Sequence, residues 1–181
     1  MRKLLLVLAF AAPALGQSAE TVQKLLASEA AKLRALGSDP AIVAAVKAQN
    51  AKKATLDAIK ALDGQWTAGK TEAMVKQMTT GRCADRLREF AAANAAYGET
   101  FVMDDRGALV CATAKTSDYW QGDEAKWQRA FKGGKGDVFI DRPKFDESAG
   151  ARIAQISVPV MENDRAIGAI TVGVAIEKLA R

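Results

Sequence analysis

Phe101-Val102-Met103-Asp104-Asp105-Arg106-Gly107-Ala108-Leu109-Val110, followed closely by Ser117-Asp118-Tyr119-Trp120-Gln121-Gly122-Asp123-Glu124, is the stretch whose reading decides the fold. Apolar, β-branched and aromatic residues flank a polar Asp-Asp-Arg-Gly centre that tolerates turn dihedrals, so the first segment reads as two strands joined by a hairpin turn. The second segment is an acidic, aromatic loop. Beyond it, Asp123 to Phe131 reads as a short helix with acids at its positive end and Gly133-Gly134 just past its last turn. Three strands close the chain. Asp137 to Asp141 alternates around Val138 and Ile140, Ala151 to Val160 sets Ile153 and Ile156 among polar neighbours, and Ala166 to Ile176 is rich in Ile and Val. Glu162-Asn163-Asp164-Arg165 supplies a hairpin turn between the last two.

Working back from the hairpin, the amino-terminal half is helical and rich in alanine. Val22, Leu25, Leu26, Ala30 and Leu33 recur at helical spacing from Ala19 to Leu36, and Gly37 supplies a stop. Asp39-Pro40 is a restart, because Asp caps free amides and Pro at the first helical position loses no needed hydrogen bond. The second helix is expected to run from Pro40 to about Leu62, with Ile42, Val43, Val46, Leu56, Ile59 and Leu62 on its apolar side and Asp63-Gly64 ending it. Trp66 falls in a short linker with Gly69. Two further helices follow, Thr71 to Met78 and about Arg82 to Ala95, separated by Thr79-Thr80-Gly81. Helices followed by strands argue for an α+β domain with a five-stranded antiparallel sheet preceded by long amino-terminal helices.

The first sixteen residues have the parts of a secretory signal: Arg2 and Lys3, the apolar run Leu4 to Ala12, and Ala14-Leu15-Gly16 as a small-x-small cleavage site. The run is broken by Pro13 and falls short of the roughly 20 residues of a spanning helix. The expectation is therefore an exported, periplasmic or secreted chain starting at Gln17, with an uncleaved amino-terminal anchor as the rival reading. Residues 17–98 would form the helical region and 99–181 the sheet region of one domain, since removing sixteen residues from 181 leaves 165.

Composition closes off several function classes. The formal charge of +5 includes Arg2 and Lys3, and the remaining 5 − 2 = +3 is spread among acids with no Lys/Arg run to follow phosphates, so nucleic acid is not expected as a partner. The chain has no histidine, which excludes Ser-His-Asp and Cys-His catalysis and His-held zinc or haem. Its two cysteines, Cys83 and Cys111, stand 28 positions apart, too far for a CxxC motif. They form either a single disulfide, which export permits, or two buried thiols. No Asp/Glu pair is singled out for acid–base work, so we expect no enzyme, and neither a cofactor nor a metal. Gly133-Gly134-Lys135-Gly136 lacks Walker spacing and follows a helix, which makes it a plain turn.

Strand, Asp-Asp-Arg-Gly turn, strand, the Ser117–Glu124 segment and three further strands, in that order, resemble the extracytoplasmic single Cache (PDC, PAS-like) sensor family. The resemblance covers roughly the last half of the mature chain. It implies a PAS-like sheet behind a long amino-terminal helix, with a small-molecule pocket built from the aromatic loop, the short helix and the inner face of the strands. On that reading Tyr119, Trp120, Asp123, Trp127, Phe139 and Asp141 are the candidate ligand-binding residues. Ring faces provide rigid apolar walls, while Tyr O–H and Trp N–H aim hydrogen bonds. Asp118, Asp123 and Asp141 suit an amine or cation, whereas Lys115, Lys126 and Arg142 suit a carboxylate. The amino-acid-binding branch of the family carries Arg-x-Trp-Tyr at the equivalent helix; here Trp127 matches, but Ala125 and Gln128 replace the Arg and Tyr. The resemblance thus implies sensing of a small organic acid or similar metabolite rather than an amino acid. Because Arg181 follows the last strand directly, it calls for a separate membrane receptor or kinase partner, and the long helix offers a homodimer surface. The alternative expectation is a non-catalytic interaction or scaffold protein of the periplasm.

Overall fold

The computed structural model of the protein describes residues 18–147 and 149–179. The expected signal segment, residues 1–16, lies outside the described residues. Five helices come first: α1 (Ala19–Leu36), α2 (Pro40–Asn50), α3 (Leu56–Thr67), α4 (Glu72–Met78) and α5 (Gly81–Ala92). They are followed by β1 (Tyr97–Met103), β2 (Leu109–Ala112), α6 (Ala125–Phe131), β3 (Phe139–Ile140), β4 (Lys144–Asp146), β5 (Ala151–Glu162), β6 (Arg165–Ala175) and the short α7 (Ile176–Leu179). All strand pairs are antiparallel, in the order β2-β1-β6-β5-β3, and β4 also pairs with β5. The fold is thus α+β. Strands β3 and β4 share one edge of β5, so six strands occupy five positions across the sheet.

Caps read from the sequence form as chemistry dictates. Asp39 Oδ1 accepts from Ala41 N at 2.9 Å, with Pro40 in the first helical position. Asn163 takes φ 52° in the β5–β6 hairpin, the left-handed conformation that asparagine tolerates. At the start of α6 the N-cap is Glu124, which makes no side-chain capping bond, and Asp123 precedes it exposed.

The expected helix from Pro40 to Leu62 is in fact two. It stops at Asn50, whose amide leaves the helix to donate to Ile167 O at 2.8 Å and to accept from Asp105 N at 3.1 Å. Lys53 then turns through φ 49°, and Thr55 caps α3 by accepting from Ala58 N. The two halves also serve different cores, because strand side chains alternate between faces. Ile42 and Val46 of α2 join α1 and α5 over Val102, Ile156, Val158, Ile170 and Val172 on the outer face of the sheet. Ile59 of α3 packs with Phe101, Met103, Leu109 and Ala169 on the inner face. Trp66, expected in a linker, sits in the last turn of α3, fully buried, with Nε1 donating to Thr116 O at 2.9 Å. β4 went unread because Lys144-Phe145-Asp146 is short and exposed, and backbone pairing to β5 alone defines it.

Cys83 on α5 and Cys111 on β2 are joined, their Cα atoms 6.1 Å apart. No helix among the described residues is long and apolar enough to cross a membrane.

Candidate ligand site

The aromatic loop is held by the hairpin turn beside it. Asp104 Oδ1 accepts from Arg106 N at 2.9 Å and Ala108 N at 2.8 Å, which closes the turn, and burial pushes its carboxyl up to about 6. Gly107, at φ 80°, lets the loop lie against it, because a Cβ there would come within 2.4 Å of Gly122 Cα. Gln121 N donates to Gly107 O at 2.8 Å, and Leu109 N to Tyr119 O at 2.9 Å. Both indoles are spent on the same turn: Trp120 Nε1 donates to Arg106 O and Trp127 Nε1 to Asp104 O, each at 2.9 Å. From α3, Asp63 Oδ1 accepts the amides of Tyr119 and Trp120 at 2.8 and 3.0 Å.

The inner face of the sheet lies below α6. Because Phe101 pairs with Thr171, Thr171 with Ser157 and Ser157 with Phe139, these four residues form one row across the sheet. The Ser157 and Thr171 hydroxyls bond each other at 2.8 Å, fully buried. Lys126 descends from α6 into this region, 8% exposed, its ammonium 5.2 Å from the centre of the Phe101 ring. It pairs with the Glu124 carboxylate at 2.9 Å. Arg129 covers the Phe139 ring at 5.1 Å. Desolvation raises the Glu99 carboxyl on β1, against the pull of Lys126.

The six sequence-derived candidates are distributed over four places. Tyr119 is buried against Trp66, with ring centres 5.9 Å apart, and its hydroxyl accepts from Gln49 Nε2 at 3.2 Å. Burial pushes that phenol up to about 12. Trp120 and Asp123 line an outer hollow of about 430 Å³ shared with Lys60, Asp63, Asp118 and Glu124, and the Lys60 ammonium stands 4.7 Å over the Trp120 ring. Trp127 stacks on Phe131 at 5.1 Å and packs on the inner core, while Phe139 is buried in the row beneath α6. Asp141 stands at the sheet edge, bonded to Lys144 Nζ at 2.9 Å, and that ammonium holds its carboxyl below the usual range. Trp127 thus reaches from α6 to the hairpin turn, Phe139 lies under Arg129 of the same helix, and Asp141 stays at the β3 edge, where Lys144 and Arg129 both lower its carboxyl. Phe101, Ser157 and Thr171, which the register places in that row, are not among the six candidates. The available signal was a small hydroxyl inside the apolar runs 156–160 of β5 and 166–175 of β6, which demands a buried polar partner. Gln121, also missed, is buried with Oε1 unpartnered.

Among solved structures, the chain is similar to the ligand-binding domain of the amino acid chemoreceptor PctC of Pseudomonas aeruginosa PAO1, in complex with GABA. Identity is 16%, TM-score 0.44, and the match covers 67% of this chain and 58% of that one. The domain of the Campylobacter jejuni chemoreceptor Tlp3 in complex with 4-methylisoleucine is 12% identical, with TM-score 0.43, over 87% of this chain and 61% of that one. The sensor domain of the Vibrio cholerae histidine kinase DctB is 10% identical, with TM-score 0.39, over 88% and 59%. The chain thus spans about three fifths of the length of these domains. No curated protein matches it. The family model for the first PDC sensor domain of methyl-accepting chemotaxis protein-like proteins matches residues 71–181, from α4 through the last strand and including the turn, the aromatic loop and the whole sheet. The chain belongs to that family of sensor domains.

Proposed function

We propose that this sensor domain works outside the cytoplasm and binds a small organic acid between α6 and the inner face of the sheet, relaying occupancy to a separate membrane receptor or kinase. The observation that carries this reading is Lys126, the one buried cation among the described residues, held over Phe101, whose strand partner is Thr171. A buried ammonium needs an anionic partner. Its present partner, Glu124, is 41% exposed in its side chain and is replaceable by a ligand carboxylate at little cost. Phe101 and Phe139, at the two ends of the row, and Trp127 above it offer apolar surface to a short carbon skeleton. Binding acts without chemistry: exchanging Glu124 for a ligand carboxylate alters the packing of α6, while the long helix from Pro40 to Leu62 expected to pair two copies is divided into α2 and α3.

Thermal unfolding against panels of short carboxylates, amines and amino acids tests this. A carboxylate at about 100 times its dissociation constant should stabilise the fold by roughly 2.7 kcal/mol. Lys126→Met should abolish that rise while leaving the unliganded protein folded. Stabilisation by amines alone, or by acids equally in the Lys126 variant, would sink the reading.

A further inference from the structure

A second hollow, of about 660 Å³, opens on the other side of the molecule, between α1 and the chain linking β3 to β4. Its volume falls within the range of about 300–1,000 Å³ usual for small-molecule sites. The walls are apolar: Val22 and Leu26 from α1, Ile140 and Pro143 from the sheet edge. Val22, Leu26 and Ile140 belong to the outer-face core, so this space is distinct from the region under α6.

Its charges are unequal. Asp141 is neutralised by Lys144 at 2.9 Å, and Arg152 by Glu177 at 2.8 Å. Arg142 also lines the hollow, is exposed, and has no ion-pair partner among the described residues. An apolar trough with a single uncompensated guanidinium at its rim complements an amphiphile with one anionic end. A guanidinium presents two parallel N–H donors that match a carboxylate.

We propose that this hollow binds a monomeric medium-chain fatty acid, with its alkyl chain along Val22, Leu26, Ile140 and Pro143 and its carboxylate on Arg142. The ligand bridges α1 and the β3 edge.

Decanoate, kept below its micelle concentration and titrated into the purified protein by calorimetry, is the probe. One-to-one saturable binding is expected. Butyrate should bind far more weakly, since each buried methylene contributes about fourfold in affinity. Arg142→Glu should weaken decanoate roughly 10- to 100-fold. Gln23→Trp, which changes an exposed residue at the hollow's wall, should block it without disturbing the core. Lys126→Met should leave decanoate binding unchanged, which separates this site from the one under α6. The proposal is overturned by absence of saturable binding to the folded protein, by binding indifferent to both Arg142→Glu and Gln23→Trp, or by equal binding of decyltrimethylammonium. Adsorption to anionic vesicles without binding of monomeric decanoate would also overturn it.

Discussion

The Tyr97 hydroxyl donates to the buried carboxylate of Glu29, tying the start of β1 to the middle of α1. Phe90 of α5 stacks on the same tyrosine at 4.8 Å, and Lys32 bonds the other oxygen of Glu29 at 2.9 Å. Tyr97→Phe removes one donor from a buried carboxylate and should cost about 1–3 kcal/mol in urea unfolding. A loss near zero would mean that Lys32 alone satisfies Glu29.

Both tyrosines of the chain titrate late. Burial, then the Glu29 carboxylate, raises Tyr97, and burial raises Tyr119 to about 12. A folded value above the unfolded one near 10 contributes stability that is fully present below pH 10 and lost as pH rises toward the folded values. Tyrosinate absorbance should therefore stay flat through pH 10 and rise only with cooperative alkaline unfolding. A gradual rise centred near pH 10 in protein that is still folded would contradict the burial of both phenols.

Asp104 carries the same sign at the acid end. Its carboxyl, raised from 3.8 to about 6 by burial, favours the folded state most below pH 4, and that contribution disappears as pH climbs through 6. Asp104→Asn keeps an oxygen acceptor for the amides of Arg106 and Ala108. At pH 7.5 it should stabilise the protein by up to about 3 kcal/mol relative to wild type, with the gain vanishing near pH 4. A difference independent of pH would locate the titration elsewhere.

Gly107→Ala tests the contact between turn and loop. The new methyl group meets Gly122 backbone at 2.4 Å and demands a positive φ from alanine. A cost of about 1–3 kcal/mol is expected, together with a red shift of tryptophan emission as the Trp120 and Trp127 bonds to the turn loosen. Unchanged emission would show that the loop holds its place by other contacts.

Reducing the Cys83–Cys111 bond, or replacing both residues with alanine, should lower stability by about 3 kcal/mol while leaving the fold intact. The bond ties α5 to β2, an edge strand of four residues. Hydrogen exchange in β2 should therefore quicken more than in β6, and uniform quickening would argue for a purely global effect.

Much of this fold was legible because its signals are local. Asp39-Pro40, Asp104 to Gly107 and Glu162 to Arg165 are caps and turns whose chemistry is complete within a few residues. The break after Asn50 was not, because its cause lies 117 residues away at the Ile167 carbonyl. Apolar residues on both sides of that break keep helical spacing, yet they face opposite sides of the sheet. At the candidate site the aromatic cluster was legible, but not the destination of its polar atoms. Trp120 and Trp127 look free in sequence and are bonded to the turn in the fold. Ser157 and Thr171 were hidden because strand register, which sets them face to face, is decided by the whole sheet.

Strands β5 and β6 carry α1 on one side and α6 on the other, with residues alternating between them. Ser157 points toward α6, while its chain neighbours Ile156 and Val158 press into the core under α1. The two helices are thus separated by the thickness of one polypeptide. A tilt of Ser157 by a bound molecule would rock Ile156 and Val158 the opposite way, as the two arms of a lever move about a shared pivot.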